Sequence, residues 1–301
     1  MKHIPVLKEE VIKLLDIKPD GIYLDFTLGR AGHSSEILKR LKTGKLIAFD
    51  LDKDALKESK VVLDKISKNY ELIHSNYSNF DQYVKEKVDG ILIDLGVSSP
   101  QFDDPKRGFS YKVDSELDMR MDTDNKITAK KLVNSLSVNE LTKILREYGE
   151  EKDAFKIANN IVKSRPINTT FELANVIKKS KSNKELNKKG HPAKQTFQAL
   201  RIAVNDELNS LSKTLTKSLN ALKPNGRLVV ITFHSLEDRI VKQAFNQVTK
   251  VIGNRIDDYK LPSKEKIQYT LLNKNVIIPS TQELKDNPRS KSAKLRAIKR
   301  L

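Results

Sequence analysis

Ile22-Tyr23-Leu24-Asp25-Phe26-Thr27-Leu28-Gly29-Arg30-Ala31-Gly32-His33-Ser34 passes from an apolar run through a tight turn of small residues into a helical pattern. The first part has strand character. Ser34, Ser35 and Glu36 suit a helix N-terminus, and Ile37, Leu38 and Leu41 repeat at helical spacing. Strand, turn and helix in that order make a nucleotide-type pocket: Gly29 and Gly32 clear side chains from the path of a ligand, and the first helical N–H groups lack partners inside the helix. A second strand over 45–49 ends in Asp50, 21 residues after Gly29, where a carboxylate accepts from ribose hydroxyls. Such turns also arise for packing alone, so the rest of the chain has to decide.

The order of residues counts against a nicotinamide cofactor. Asp25 and Thr27 precede the glycines, whereas a dinucleotide-binding glycine turn begins at the strand end. An acid in that place can hold an ammonium group. S-adenosylmethionine has both parts, an adenosine and an amino acid, and is the cofactor these residues suit.

With 301 residues the chain can form one large domain or two, and 38% hydrophobic with 32% charged residues is a globular composition. A net charge of +17 makes a polyanion the natural partner. Nucleic acid is favoured over a membrane, because no apolar run reaches spanning length and the N-terminus, interrupted by Lys2, Lys8, Glu9 and Glu10, lacks a signal-peptide core. A cytoplasmic protein is expected. The absence of cysteine removes disulfides, cysteine-based zinc sites and thiolate attack on a pyrimidine ring. The five histidines show no metal-ligand spacing, so no metal is expected.

Along the chain, a short helix is expected over 3–17, a helix through Leu56, Val61 and Leu63, a third strand at Leu72-Ile73-His74 followed by Tyr77, and a fourth at Gly90-Ile91-Leu92-Ile93 delivering Asp94. Strands alternating with helices argue a parallel, doubly wound sheet. Tyr77 could stack on an adenine or belong to the core. From about 105 to 205 the signals are almost all helical. Ser137 with Glu140 and Thr169 with Glu172 form capping boxes, and the chain turns out of a helix near Arg165-Pro166. Residues 178–190 read as an exposed basic loop, and one long helix runs from after Pro192 through Leu219. The strand pattern returns at Arg227-Leu228-Val229-Val230-Ile231-Thr232-Phe233, ahead of His234; 262–274 reads as loop and the basic stretch 287–296 as an edge strand. The expected division is 1–104 and 206–301 as an α/β domain, interrupted by an all-helical substrate-binding domain over 105–205.

Asp94-Leu95-Gly96-Val97-Ser98-Ser99-Pro100-Gln101 lies where such sheets place their ligands, beyond the carboxyl end of a strand. Methylating an exocyclic amine needs acceptors on its N–H groups, since the nitrogen lone pair is delocalised into the ring. Asp94 and the carbonyls of Ser98, Ser99 and Pro100 are candidates, with Asp94, His234 or water taking the proton. A simple loop with a helix cap at Ser98 or Ser99 is the plain alternative. Arg107-Gly108-Phe109-Ser110-Tyr111 mixes a cation with two rings, as single-stranded nucleic-acid contacts do. Leu117-Asp118-Met119-Arg120-Met121-Asp122 reads better as a salt-bridged structural segment. His33 and His234 suit capping or packing, and His234 is the better base candidate of the two.

The two glycine and aspartate motifs, together with His3-Ile4-Pro5-Val6-Leu7, Arg107-Gly108-Phe109-Ser110, Tyr148-Gly149-Glu150-Glu151, the segments 117–122, 191–205 and 233–239, and Asn287-Pro288-Arg289, closely resemble the RsmH (MraW) family of bacterial 16S ribosomal RNA cytosine-N4 methyltransferases. The resemblance spans nearly the whole chain in order. It implies a class I (Rossmann-like) S-adenosylmethionine-dependent methyltransferase sheet with an inserted helical domain, modifying one cytidine in the decoding (P-site) region of the small ribosomal subunit. Carried over by position, it implies cofactor contacts at Ala31, Gly32, His33, Asp50, Tyr77, Asp94 and Gln101. The family usually has glycine at position 31 and phenylalanine at 77, and many members have a C-terminal cysteine pair that this chain lacks. A non-catalytic RNA-binding protein on the same fold is the rival reading; a homodimer is left open.

Overall fold

A computed structural model describes residues 5–187, 189–249 and 268–301. The chain divides into two compact units, 1–96 with 208–301 and the intervening 97–207.

The first unit is built on seven strands: β1 Ile22–Asp25, β2 Lys45–Asp50, β3 Tyr70–His74, β4 Val88–Asp94, β5 Leu222–Thr232, β6 Tyr269–Leu271 and β7 Lys294–Arg300. Their order across the sheet is β3-β2-β1-β4-β5-β7-β6. The first five are parallel, and β7 pairs antiparallel with both β5 and β6. This is the doubly wound α/β sheet expected from the alternation of strands and helices. Successive side chains of one strand point to opposite faces, and the buried residues sort accordingly. Leu24, Ile47, Ile91, Ile93, Leu228 and Val230 join one apolar cluster, while Tyr23, Leu46, Ala48, Leu92, Val229 and Ile231 join the other. Both faces are therefore covered, which is why these strands are nearly continuous apolar runs.

The register carries the consequence for function. Asp25 pairs with Ala48 and Leu92, and Asp50 with His74, so β1, β2 and β4 all end toward the same side of the sheet. A carboxylate stands at or near each end.

The second unit is helical. Val138–Gly149 and Thr170–Ser180 begin with the two capping boxes read from the sequence, and Ala154–Lys163 stops before Pro166. Their apolar faces, with that of Lys194–Asn205, enclose Leu145, Ile157, Ile161, Leu173, Ile177 and Leu200.

Several expectations are corrected. The single long helix after Pro192 is two, Lys194–Asn205 and Glu207–Ala221, because Asp206 takes a left-handed conformation with φ of 51°. The helix expected over 3–17 covers Lys8–Leu15, bounded by Leu7 and Asp16, both left-handed. The basic C-terminal strand is interior, flanked by β5 and β6, and β6 occupies part of the expected loop over 262–274; residues 262–267 of that loop lie outside the described residues, as do His3 and Ile4 of the N-terminal motif. The basic segment 178–190 is not an exposed loop throughout. Lys181 is buried, its Nζ 3.0 and 2.9 Å from the two carboxylate oxygens of buried Glu151, and Asn183–Leu186 is a short helix. Among the described residues no helix is long and apolar enough to cross a membrane.

Candidate active site

The turn after β1 is held from below by its neighbours. Phe26 N–H donates to Leu92 O and Leu28 N–H to Phe49 O, each at 3.0 Å, so the chain stays in sheet register almost to Gly29. Gly29 then enters the left-handed region at φ 51° and Ala31 follows at φ 58°. Ala31 N–H closes the turn on Leu28 O at 2.8 Å, and the helix Gly32–Leu38 starts at once. A side chain at Gly29 would meet only Thr27 O, at 3.9 Å, so this face of the turn is open. Ala31 itself is fully buried, and its methyl group belongs to the core.

Three acids surround the turn. Asp25 is buried and accepts from Ser34 Oγ at 2.6 Å and from Thr27 N–H at 3.1 Å. Asp50 accepts from Gly29 N–H and Asp52 N–H, each at 2.8 Å, one on each oxygen. Asp94 is fixed through its backbone, whose N–H donates to Thr27 Oγ1 at 2.7 Å. Its side chain is 24% exposed, with Oδ2 3.6 Å from Nε2 of His33. Its Oδ1 is buried and has no hydrogen-bond partner among the described residues. An unsatisfied buried carboxylate oxygen costs about 1–3 kcal/mol or more.

The electrostatics agree with the geometry. Burial pushes the Asp50 carboxyl up to about 6, against the pull of its two backbone N–H donors. Burial raises Asp94 well above the ordinary carboxylate range, and the nearby charges of Asp25 and Glu237 raise it further. Asp25 is raised by burial too, although Ser34 and Thr27 oppose the shift. Among the described residues no lysine or arginine is ion-paired with any of the three, while Arg30 in the same turn is turned away to Glu58. Like-charged carboxyls without a cation favour a positively charged ligand.

The remaining sequence candidates are placed as follows. Tyr77 opens a short helical turn after β3, and its ring stacks on Phe26 at 5.8 Å with a 10° interplanar angle. Gly32 and His33 are the first residues of the helix after the turn. His234 precedes the helix Ser235–Thr249: its N–H and that of Phe233 donate to Oε2 of buried Glu237, and its Nε2 lies 3.0 Å from Glu237 Oε1. Glu237 is the group sequence reasoning missed. Its signal was present, since an acid three residues after His234 at a helix start is a capping pattern.

In the helical unit, Ser98, Ser99, Pro100 and Gln101 lie at the start of the helix Ser99–Asp103. Ser98 and Gln101 close a capping box, Gln101 Oε1 accepting from Ser98 N–H at 3.1 Å. The carbonyls of Ser98 and Pro100 accept helical N–H groups from Phe102 and Asp104 at 3.1 and 2.8 Å. Each keeps one lone pair. The segment around Arg107 is structural rather than an open cation-and-ring surface. The Arg107 guanidinium donates to the carbonyls of Arg120 and Met121, Phe109 is in the core, and Tyr111 stacks on His191 at 4.1 Å. Asp118 and Arg120 form the expected salt bridge, at 2.7 and 2.9 Å. No cluster of metal-ligating residues occurs among the described residues.

A profile of the MraW methylase family matches residues 1–301. The chain is 52% identical to "Ribosomal RNA small subunit methyltransferase H" of Mesoplasma florum, over 99% of both chains. It is 50% identical to the protein of that name from Mycoplasmopsis agalactiae, over 100% of this chain and 99% of the other. With the Halothermothrix orenii protein, again of that name, it shares 45%, over 100% and 99%.

Proposed function

The chain belongs to the MraW methylase family, and on that premise we propose that it uses S-adenosylmethionine to methylate N4 of one cytidine in the decoding region of small-subunit 16S rRNA. The names of its relatives support ribosomal RNA as the substrate. The observation that carries the chemistry is the buried Oδ1 of Asp94, unpartnered among the described residues, at the end of a sheet strand and beside a glycine turn.

The three acids suit the cofactor, which carries a sulfonium and an ammonium charge. When bound, S-adenosylmethionine supplies a methyl group on sulfur that is already strongly electrophilic. Asp50 is the acceptor for ribose hydroxyls, each of its oxygens having a lone pair beyond its backbone bond. Ala31, Gly32 and His33 present the start of a helix, Tyr77 an aromatic face, and Gln101 is the contact carried over from the family motif.

Asp94 Oδ1 accepts an N–H of the target amine, returning electron density to nitrogen and fixing it for in-line attack. The carbonyls of Ser98, Ser99 and Pro100, next in the sequence, are the further acceptor candidates in this reading. After transfer the proton passes to Asp94, to His234 or to water. A base in a stack has to be swung out to reach such a pocket, at a cost of a few kcal/mol that is least for unpaired nucleotides. The helical unit is the rRNA grip in this reading. It contains a cleft of about 520 Å³ rimmed by Lys163 and Lys179, with Asn160, Ser164 and Asn175 as hydrogen-bonding groups.

Incubation with methyl-labelled S-adenosylmethionine and unmodified small subunits tests the proposal. Label recovered as N4-methylcytidine in 16S rRNA is the expected result. Tight binding to the subunit without transfer would instead support a non-catalytic assembly protein.

A further inference from the structure

Among the described residues, five helices begin with a Ser or Thr followed three residues later by Glu or Gln, and at one of them the later side chain is used far away in the sequence. At Ser98, Ser137 and Thr169 the later residue's side chain reaches back to its own N-cap backbone and closes the box. At the helix Thr281–Asp286, Ser280 Oγ accepts from Glu283 N–H at 3.1 Å, but the Glu283 carboxylate does not return. Its Oε1 accepts instead from the N–H of Leu7, 2.8 Å away and 276 residues earlier in the chain. Leu7 is the residue before the helix Lys8–Leu15. It is fully buried, left-handed at φ 52°, and makes no side-chain cap of its own.

Glu283 therefore fixes a strained corner far away in the sequence instead of closing its own capping box. The residues that this corner delivers explain why. Two positions before Leu7, the Pro5 ring is packed on Gly32: a Cβ at Gly32 would lie 2.7 Å from Pro5 Cγ and 3.3 Å from Pro5 Cβ. Gly32 is the first residue of the helix that follows the glycine turn, directly after left-handed Ala31. The proline braces the back of the turn, and the absence of a side chain at Gly32 serves this approach.

We propose that Glu283 is a positioning residue for the cofactor turn, acting through Leu7 and Pro5 to hold 29–32 in its binding conformation. The proposal rests on the reading of that turn as the S-adenosylmethionine site. A capping bond to a carboxylate is among the stronger hydrogen bonds in proteins, and a loop that must be ordered by the ligand itself binds it less tightly.

Two measurements test this on Glu283→Ala, Glu283→Gln and Pro5→Ala: calorimetric affinity for S-adenosylmethionine, and amide hydrogen exchange across 29–32 in the ligand-free protein. Glu283→Ala is expected to weaken the cofactor about tenfold and to speed exchange in the turn, with the KM for small subunits unchanged. Glu283→Gln keeps an acceptor oxygen and is expected to behave nearly as wild type. Pro5→Ala leaves the Leu7 cap in place and is expected to reproduce the Ala variant. Unchanged affinity and exchange in Glu283→Ala would overturn the proposal. So would a parallel loss of cofactor affinity, subunit affinity and melting temperature, which marks general destabilisation. The exchange is read without ligand, so a wild type that bound no S-adenosylmethionine would sink the functional reading and leave the result on Glu283 standing.

Discussion

Asp50 sets the pH behaviour of the pocket. Its carboxyl is raised from 3.8 to about 6 by burial, so in the ligand-free fold it holds a proton that the unfolded chain releases at lower pH. Protonation of Asp50 thus favours the folded state below 3.8, and that contribution is lost as pH rises through about 6. A cationic ligand, or one donating hydroxyls, prefers the ionised form. Binding of S-adenosylmethionine near pH 6 is accordingly expected to release protons and to weaken toward pH 5, as calorimetry in buffers of different ionisation heat can read. Binding without proton release between pH 5 and 7.5 would contradict it. At Asp94 the expectation is kinetic. Asp94→Ala should cut turnover by roughly 10²–10⁴ while the melting temperature holds or rises, since an unsatisfied buried oxygen disappears; near-normal turnover would show that its role is misassigned.

Single residues also mark the limit of what the sequence discloses. Asp25, Asp50 and Asp94 are legible because each closes an apolar run, and only a strand end puts an acid there. Glu283 is not, because Ser280-Thr281-Gln282-Glu283 looks like a local capping box and nothing nearby in sequence points to Leu7. Arg107 misleads in the opposite direction. A cation among rings suggests a nucleic-acid surface, yet one guanidinium nitrogen of Arg107 donates to two backbone carbonyls of the same unit.

At the scale of elements, the parallel strands could be read directly, since strands covered on both faces are apolar at every position. The boxes at Ser137 and Thr169 were equally plain. The break at Asp206 had no signal, because an aspartate in left-handed backbone interrupts the helix without a glycine or proline to announce it. Basic residues misplaced β7: the stretch 287–296 suggests an edge, but the strand is Lys294–Arg300, it lies inside the sheet, and Arg296 is held by Asp238 at 2.7 Å. The Glu151–Lys181 pair hid the same way in a lysine-rich segment. With both side chains under 5% exposed, Glu151→Ala leaves a buried ammonium unpaired and should destabilise the helical unit by about 3–5 kcal/mol. Chemical denaturation checks this, and a loss under about 1 kcal/mol, the value of a surface pair, would contradict the burial.

For the whole molecule, the charge of +17 and the choice of substrate belong together. Affinity for rRNA or for subunits should fall linearly on a log–log plot against salt, with a slope that counts phosphates neutralised. Lys163→Ala and Lys179→Ala should each reduce that slope by about 1 if the helical cleft holds the RNA backbone; an unchanged slope would move the grip elsewhere. Comparison of methyl transfer to stripped 16S rRNA and to intact subunits then separates an enzyme of free RNA from one of the assembled particle.

The functional reading depends on the acids at the ends of β1, β2 and β4 serving one cationic cofactor. Titration of S-adenosylmethionine into wild type and Asp50→Ala at pH 7.5 is the most direct measurement. One site per chain, weakened at least tenfold by the substitution with the fold retained, is the expected result. Equal affinity in the two proteins, or no binding to wild type, would contradict it.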